Sequence, residues 1–107
     1  DGHIVQGHVD QTGIVTKIEE LDGSWKYFIK YDQAKGNITV EKGSISVNGV
    51  SLTVVDSEKN LFSVAIIPYT YENTNFHNFK IGTIVNLEFD IIGKYIKKIL
   101  EEYEIIK

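Results

Sequence analysis

The chain is 107 residues long, 42% hydrophobic and 24% charged, with 11 Lys and Arg against 15 Asp and Glu for a formal net charge of −4. This is one domain's worth of ordinary globular sequence, and its acidity and scattered basic residues argue against gripping phosphate backbones, which takes clustered Lys and Arg. The absence of cysteine excludes disulfides, thiolate metal sites and a Cys nucleophile, and no stretch approaches the roughly 20 apolar residues that span a bilayer as a helix.

The opening Asp1-Gly2-His3-Ile4-Val5 lacks the basic and apolar regions of a secretory leader. With Asp at position 1 and no Met anywhere, the sequence reads as a piece of a longer chain. Short strands bounded by turn residues follow. Residues 12–18 are β-branched and apolar-rich, and 24–31 alternate, with Trp25, Tyr27, Ile29 and Tyr31 on one face. Asp22-Gly23 between them tolerates the positive φ of a tight hairpin. Strands are expected over 44–47, 50–55, 61–67 and 85–90, with Asn48-Gly49 as a second hairpin turn and 57–60 as a third. After the single proline, residues 70–74 are expected to form a short helical turn capped by Thr70. From Ile91 the apolar residues Ile92, Tyr95, Ile96, Ile99, Leu100 and Tyr103 recur at the spacing of one helix face, so 91–104 is read as an amphipathic helix. Six short strands with tight loops favour an all-β closed barrel, because closure removes the exposed edges of an open sheet. The last helix then plugs a barrel end or pairs with a helix of another chain.

Few residues carry chemistry on spacing alone. His3 and His8 are five apart, which sets them on one face of neither helix nor strand, so no metal site is expected. Ser51 and Thr53 are two apart in a strand and share a face opposite Val50, Leu52 and Val54. That face meets a ligand or simply solvent, and no Gly-x-Ser-x-Gly elbow marks Ser51 as an activated nucleophile. Ile66-Ile67-Pro68-Tyr69-Thr70 is a strand end running into a proline corner, where the ladder stops and backbone groups are released to bond a ligand or water. Asp90 ends a strand where the last helix begins, a natural N-cap, and Lys42 reads as a turn lysine.

Five segments in order resemble the second half of the riboflavin synthase family. They are Gly2-His3-Ile4-Val5-Gln6-Gly7-His8-Val9-Asp10, Val40-Glu41-Lys42-Gly43-Ser44-Ile45, Asn48-Gly49-Val50-Ser51-Leu52-Thr53-Val54, Ile66 to Thr74, and Lys80 to Glu88 with Asp90. The departures are Asp1 in place of a usual glycine and Phe76-His77-Asn78-Phe79 in place of Leu-Gly-x-Leu, read as a change in a loop. The resemblance implies a six-stranded closed Greek-key barrel with a short helix and a C-terminal amphipathic helix. Residues 1–107 would then be one lumazine-binding barrel of a two-barrel protein, with the strands within 1–90 and the helix over 91–104.

The same resemblance implies a cytoplasmic enzyme that uses no cofactor and no metal. Two molecules of 6,7-dimethyl-8-ribityllumazine dismutate by four-carbon transfer, giving riboflavin and 5-amino-6-ribitylamino-uracil, in a homotrimer. Substrate-binding residues would be Gly7, His8, Val9, Lys42, Ser51, Leu52, Thr53, Ile66, Ile67, Pro68, Tyr69, Thr70, Tyr71 and Asp90. Backbone groups near Ile67 and Tyr69 would read the pyrimidine edge, Thr70 and Asp90 would grip ribityl hydroxyls, and Lys42 would reach into a site shared with another barrel. His8, His3 and Ser51 would form the catalytic set, imidazole being suited to proton transfer near neutrality. Two other readings share the barrel: a non-catalytic lumazine or flavin carrier, which would tend to lose the paired histidines, and a nucleic-acid-binding barrel, which would need a basic face with exposed aromatics.

Overall fold

The computed structural model describes residues 8–103. Six strands, β1 (Gln11–Leu21), β2 (Ser24–Lys30), β3 (Ser44–Val47), β4 (Val50–Glu58), β5 (Leu61–Ile66) and β6 (Ile84–Phe89), close into an antiparallel barrel in the order β1-β2-β5-β4-β3-β6. Strands β3, β4 and β5 form a meander, and β2 lies beside β5, which is the Greek-key arrangement. The Asp22-Gly23 and Asn48-Gly49 hairpin turns are where the sequence puts them, whereas the turn expected over 57–60 is confined to residues 59–60. Asn48 and Gly49 both take positive φ, 49° and 82°, and Gly23 takes 82°, the backbone twist that matches the right-handed twist of paired strands.

Two strands outrun their expected limits. β1 runs on to Leu21 through a register shift between Val15 and Lys17, and there Thr16 and Lys17 both point outward. β4 runs on to Glu58 through a second shift between Val54 and Ser57, and Asn60 at φ 62° tightens the turn into β5. Each bulge inserts a residue that breaks the two-residue alternation, so the pattern hides the extension.

The barrel is filled by inward side chains, with Val15, Tyr27, Ile29, Val47, Val54, Phe62, Val64, Ile66, Val85 and Leu87 all sealed from solvent. One end is stoppered by aromatics. Phe76 packs edge-on to Tyr27 at 5.1 Å and lies 4.6 Å from Phe79. The Tyr27 hydroxyl donates to the Phe76 carbonyl at 2.9 Å, and burial pushes its phenol up to about 12. Residues 76–79 are therefore more than a loop change. They form a 3-10 turn (Asn75–Asn78) whose first aromatic belongs to the core.

After β5 comes α1 (Pro68–Asn73), with Ile67 at the N-cap position and proline at the first helical position, where a fixed φ and a missing N–H cost nothing. This corrects the expected start at Thr70. Thr70 lies inside the helix and is buried, because Pro68 opens it two residues earlier. The C-terminal helix α2 (Ile91–Tyr103) forms as its periodicity requires; residue 104, its expected last member, lies outside the described residues. Ile91, Tyr95, Ile96 and Ile99 are exposed along it, so α2 does not plug the barrel. No helix among the described residues is long and apolar enough to cross a membrane.

On the outer wall Lys26 Nζ meets Asp56 at 2.6 Å, and the buried Ser63 hydroxyl donates to the same carboxylate at 2.7 Å. The hydrogen bond to Lys26 holds the Asp56 carboxyl below its ordinary range, and the bond to Asp56 holds Lys26 above its own. A lowered carboxyl contributes stability above its unfolded pKa and loses it on acidification. The melting-temperature advantage of the natural chain over Asp56→Asn is therefore expected to be present at pH 7 and to shrink below about pH 4. Thermal melts from pH 7 to pH 3 measure it, and the pair being only partly buried keeps the effect small.

Candidate functional site

The site grows from the outward faces of β3, β4 and β6. With Val50, Leu52 and Val54 turned into the core, Ser51 and Thr53 point outward as their spacing predicts. Register pairs Ser44 with Thr53 and Ser46 with Ser51, and on the other side Ser46 with Glu88. Four hydroxyls and a carboxylate thus lie in adjacent rows on one wall.

A cleft of about 340 Å³ opens on this wall, lined among others by Ser44, Ser46, Ser51, Glu88, Asp90 and Lys94. At Ser44 and Asp90 it meets a second, of about 190 Å³, lined by residues 38–44 and so carrying Lys42. At Ser46 and Glu88 it meets a third, of about 420 Å³, which carries His8, Val9, Asn48, Asn75 and Asn86. The shared residues set the three side by side along one wall, together forming a stepped groove. Among the described residues, no three His, Cys, Asp or Glu side chains gather as a metal site.

Asp90 holds the middle of the groove. Its Oδ2 accepts the Ser44 N–H at 3.1 Å, and its carbonyl accepts the Lys94 N–H at 3.2 Å, the first bond of α2. It therefore sits at the N-cap position and ties β3 to the helix start. Lys42 is held by three backbone bonds: its N–H to Val54 O, the Gly43 N–H to Val40 O, and the Val54 N–H to Gly43 O, each 2.8 Å. Its φ is 67°. A left-handed conformation costs a non-glycine residue roughly 1–2 kcal/mol, and a sequence needing only the turn would place glycine or asparagine there.

The proline corner borders the same wall from the other side. Val54 pairs with Val64, and continuing that antiparallel register carries Ser51 toward Ile67. Ile67 and Tyr69 are exposed. Tyr71 is half-buried, its ring stacked on Trp25 with centroids 3.7 Å apart and planes 7° from parallel. Leu52 at 9% and Thr70 at 3% exposure, with Ile66 sealed, turn their side chains into the protein, so these three offer a ligand backbone groups rather than exposed side chains. Pro68 has no N–H to offer. The corner residues line none of the three clefts. His3 and Gly7 lie outside the described residues.

Sequence reasoning passed over Ser44, Ser46, Glu88, Lys94 and Asp10. The alternation in Ser44-Ile45-Ser46-Val47 and in Leu87-Glu88-Phe89 would have put the first three on the outer wall. Asp10 accepts the Phe89 N–H at 2.7 Å and meets Lys94 Nζ at 3.1 Å, anchoring the strand that leads out of His8 against the start of α2. That bridge depends on barrel closure and has no local signal.

The model of the lumazine binding domain matches residues 6–90. The riboflavin synthase of Actinobacillus pleuropneumoniae is 50% identical over 99 residues, covering 92% of this chain and 46% of that protein. The riboflavin synthase of Bacillus subtilis (strain 168) is 42% identical over 101 residues, covering 94% and 47%. The chain spans about half the length of these curated relatives. Among solved structures, LumP complexed with 6,7-dimethyl-8-(1'-D-ribityl) lumazine superposes with a TM-score of 0.67 at 28% identity, covering 79% of this chain and 48% of LumP. LumP complexed with flavin mononucleotide gives 0.68 at the same identity and coverage. With the family model matched across the barrel and the fold closed as described, this chain belongs to the lumazine-binding domain family.

Proposed function

We propose that this barrel binds one molecule of 6,7-dimethyl-8-ribityllumazine or riboflavin and, opposite a second barrel, dismutates two lumazines to riboflavin and 5-amino-6-ribitylamino-uracil. The observation that carries the proposal is the groove that gathers Ser51, Lys42, Asp90 and His8 from four separate segments onto one wall. The flat ring lies against the Ser51 and Thr53 face beside the proline corner, whose backbone groups at Ile67 and Tyr69 meet the pyrimidine edge. The ribityl chain runs toward Asp90, whose carboxylate accepts hydroxyl hydrogens.

The reaction makes modest demands on the protein. The electron-poor lumazine ring acidifies its own C7 methyl protons and stabilises the carbanion that follows, so no metal or redox group is required. The barrels need to hold two rings face to face, worth roughly 7–11 kcal/mol of barrier, and supply proton transfer, worth about 10²–10⁴-fold. His8 lies in the groove for that transfer, with His3 and Ser51 as the other members of the catalytic set. Lys42, at the groove's far end, reaches toward the second barrel. Such a protein works in the cytoplasm without a nucleic-acid partner, and the uncovered Tyr95, Ile96 and Ile99 of α2 support its assembly as a homotrimer.

Titrating the chain with riboflavin while following flavin fluorescence tests the site. Saturable quenching at micromolar concentrations is expected, and a folded chain that leaves riboflavin fluorescence unchanged at several hundred micromolar would overturn the proposal. Turnover of lumazine by the chain alone is expected to be near zero; full turnover would remove the need for a second barrel.

A further inference from the structure

We infer that Trp25 is a positioning residue for the ligand site: by stacking on Tyr71 it fixes the proline corner, and with it the affinity for the ring. The inference rests on the ligand reading proposed above. Trp25 spans the corner by two separate contacts. Its backbone pairs with Ile66, the last residue of β5, ahead of the corner. Its indole stacks on Tyr71 behind the corner, at 3.7 Å and 7°. Residues 67–70, the stretch whose backbone is to meet the ligand, therefore lie between two points held by one residue.

The helix that opens in that stretch has little intrinsic stability. A helix of six residues is far below the length at which a helix sustains itself in water. Ile67 supplies no side-chain cap, the first turn carries no acid, and the last turn carries no base. The other ties run from the stretch into the turn that follows it: Thr74 Oγ1 donates to the Thr70 carbonyl at 2.6 Å, Asn73 Nδ2 to the Tyr69 carbonyl at 2.8 Å, His77 Nδ1 lies 2.9 Å from the Tyr71 carbonyl, and the Tyr27–Phe76 bond holds the 3-10 turn beyond. The Trp25–Tyr71 pair is the one aromatic contact between α1 and the barrel strands among the described residues. Both rings are only half-buried and lie at the margin of the core, which suits a lever on a surface segment better than a core filler. Flat stacked rings fix distance and tilt together, which an aliphatic contact does not.

The test compares riboflavin dissociation constants, measured on folded protein by flavin fluorescence, for the natural chain, Trp25→Phe, Trp25→Ala, Tyr71→Ala and the double alanine variant. Loss of the stack is expected to weaken binding about tenfold in each alanine variant, the size of an aromatic-pair contribution. The double variant should be no weaker than either single, because both changes break one clamp. Trp25→Phe, which keeps a flat ring, should return the constant to within about twofold. A purely structural role would lower the melting temperature and leave the folded protein's affinity unchanged, so a constant within twofold of natural for Trp25→Ala overturns the inference. If that variant does not fold by circular dichroism, Trp25→Leu, which keeps apolar cover without a flat ring, replaces it under the same criterion. Failure of the natural chain itself to bind riboflavin would instead remove the ligand reading, and this inference with it.

Discussion

Replacing Lys42 by glycine is expected to leave the barrel as stable as before or slightly more so, while the lumazine turnover proposed for this barrel opposite a second one falls by roughly ten- to a hundredfold. The two effects come from different atoms. At φ 67° the lysine backbone carries a left-handed penalty of roughly 1–2 kcal/mol, which glycine escapes. Glycine gives back about 0.5–1 kcal/mol through the greater freedom of its unfolded chain, so the net change is about zero to 1.5 kcal/mol in favour of the variant. The functional loss follows from removing an ammonium at the end of the groove, since a hydrogen bond from a charged group contributes about 1.5–3 kcal/mol. Lys42→Asn separates the terms further, because asparagine tolerates the same φ and has no charge. Thermal melts and initial rates on both variants decide the matter. A loss of stability in Lys42→Gly, or undiminished turnover in Lys42→Asn, would show that the lysine serves the turn alone.

Phe76→Ala should produce the largest loss of stability of any single change considered, about 3–5 kcal/mol. The ring is fully buried at the stoppered end of the barrel, between Tyr27 and Phe79, and a barrel of paired strands cannot collapse to refill the space. For a domain whose whole stability is about 5–15 kcal/mol, that is about a fifth of the total or more. The melting temperature should fall by roughly 15 °C or more. Tyr27→Phe removes one of two donors to the Phe76 carbonyl, which keeps the Phe79 N–H at 3.0 Å, an expected cost of about 0.5–1.5 kcal/mol. Urea unfolding of the two variants measures both. A loss under 1 kcal/mol in Phe76→Ala would mean that the 75–78 turn is dispensable, and that α1 is anchored elsewhere.

Much of the site's chemistry was readable in one dimension. Alternation put Ser51 and Thr53 on the face opposite Val50, Leu52 and Val54, and the structure keeps them there. Turn signals at Asp22-Gly23 and Asn48-Gly49 placed two of the hairpins, because positive φ is a local demand. Other features were hidden for specific reasons. Thr70 read as a cap by residue type, yet Pro68 starts α1 earlier and buries it. Phe76 read as a loop residue because its partners Tyr27 and Phe79 come together only at the closed end of the barrel. The strain at Lys42 is invisible in sequence, since nothing local announces that a lysine will take φ 67°.

The amino-acid sequence by itself determined the six strands, the two α-helices, the inward and outward faces, and the Ser51–Thr53 pair, because each depends on neighbours one to four residues away. Only the tertiary structure decided that β6 closes between β3 and β1, which sets Asp90 against Ser44 and Asp10 against Lys94. It also decided that Trp25 reaches Tyr71 across the corner. Those contacts join residues dozens of positions apart, and a periodic pattern of burial says which face a residue takes but not which distant strand will lie beside it.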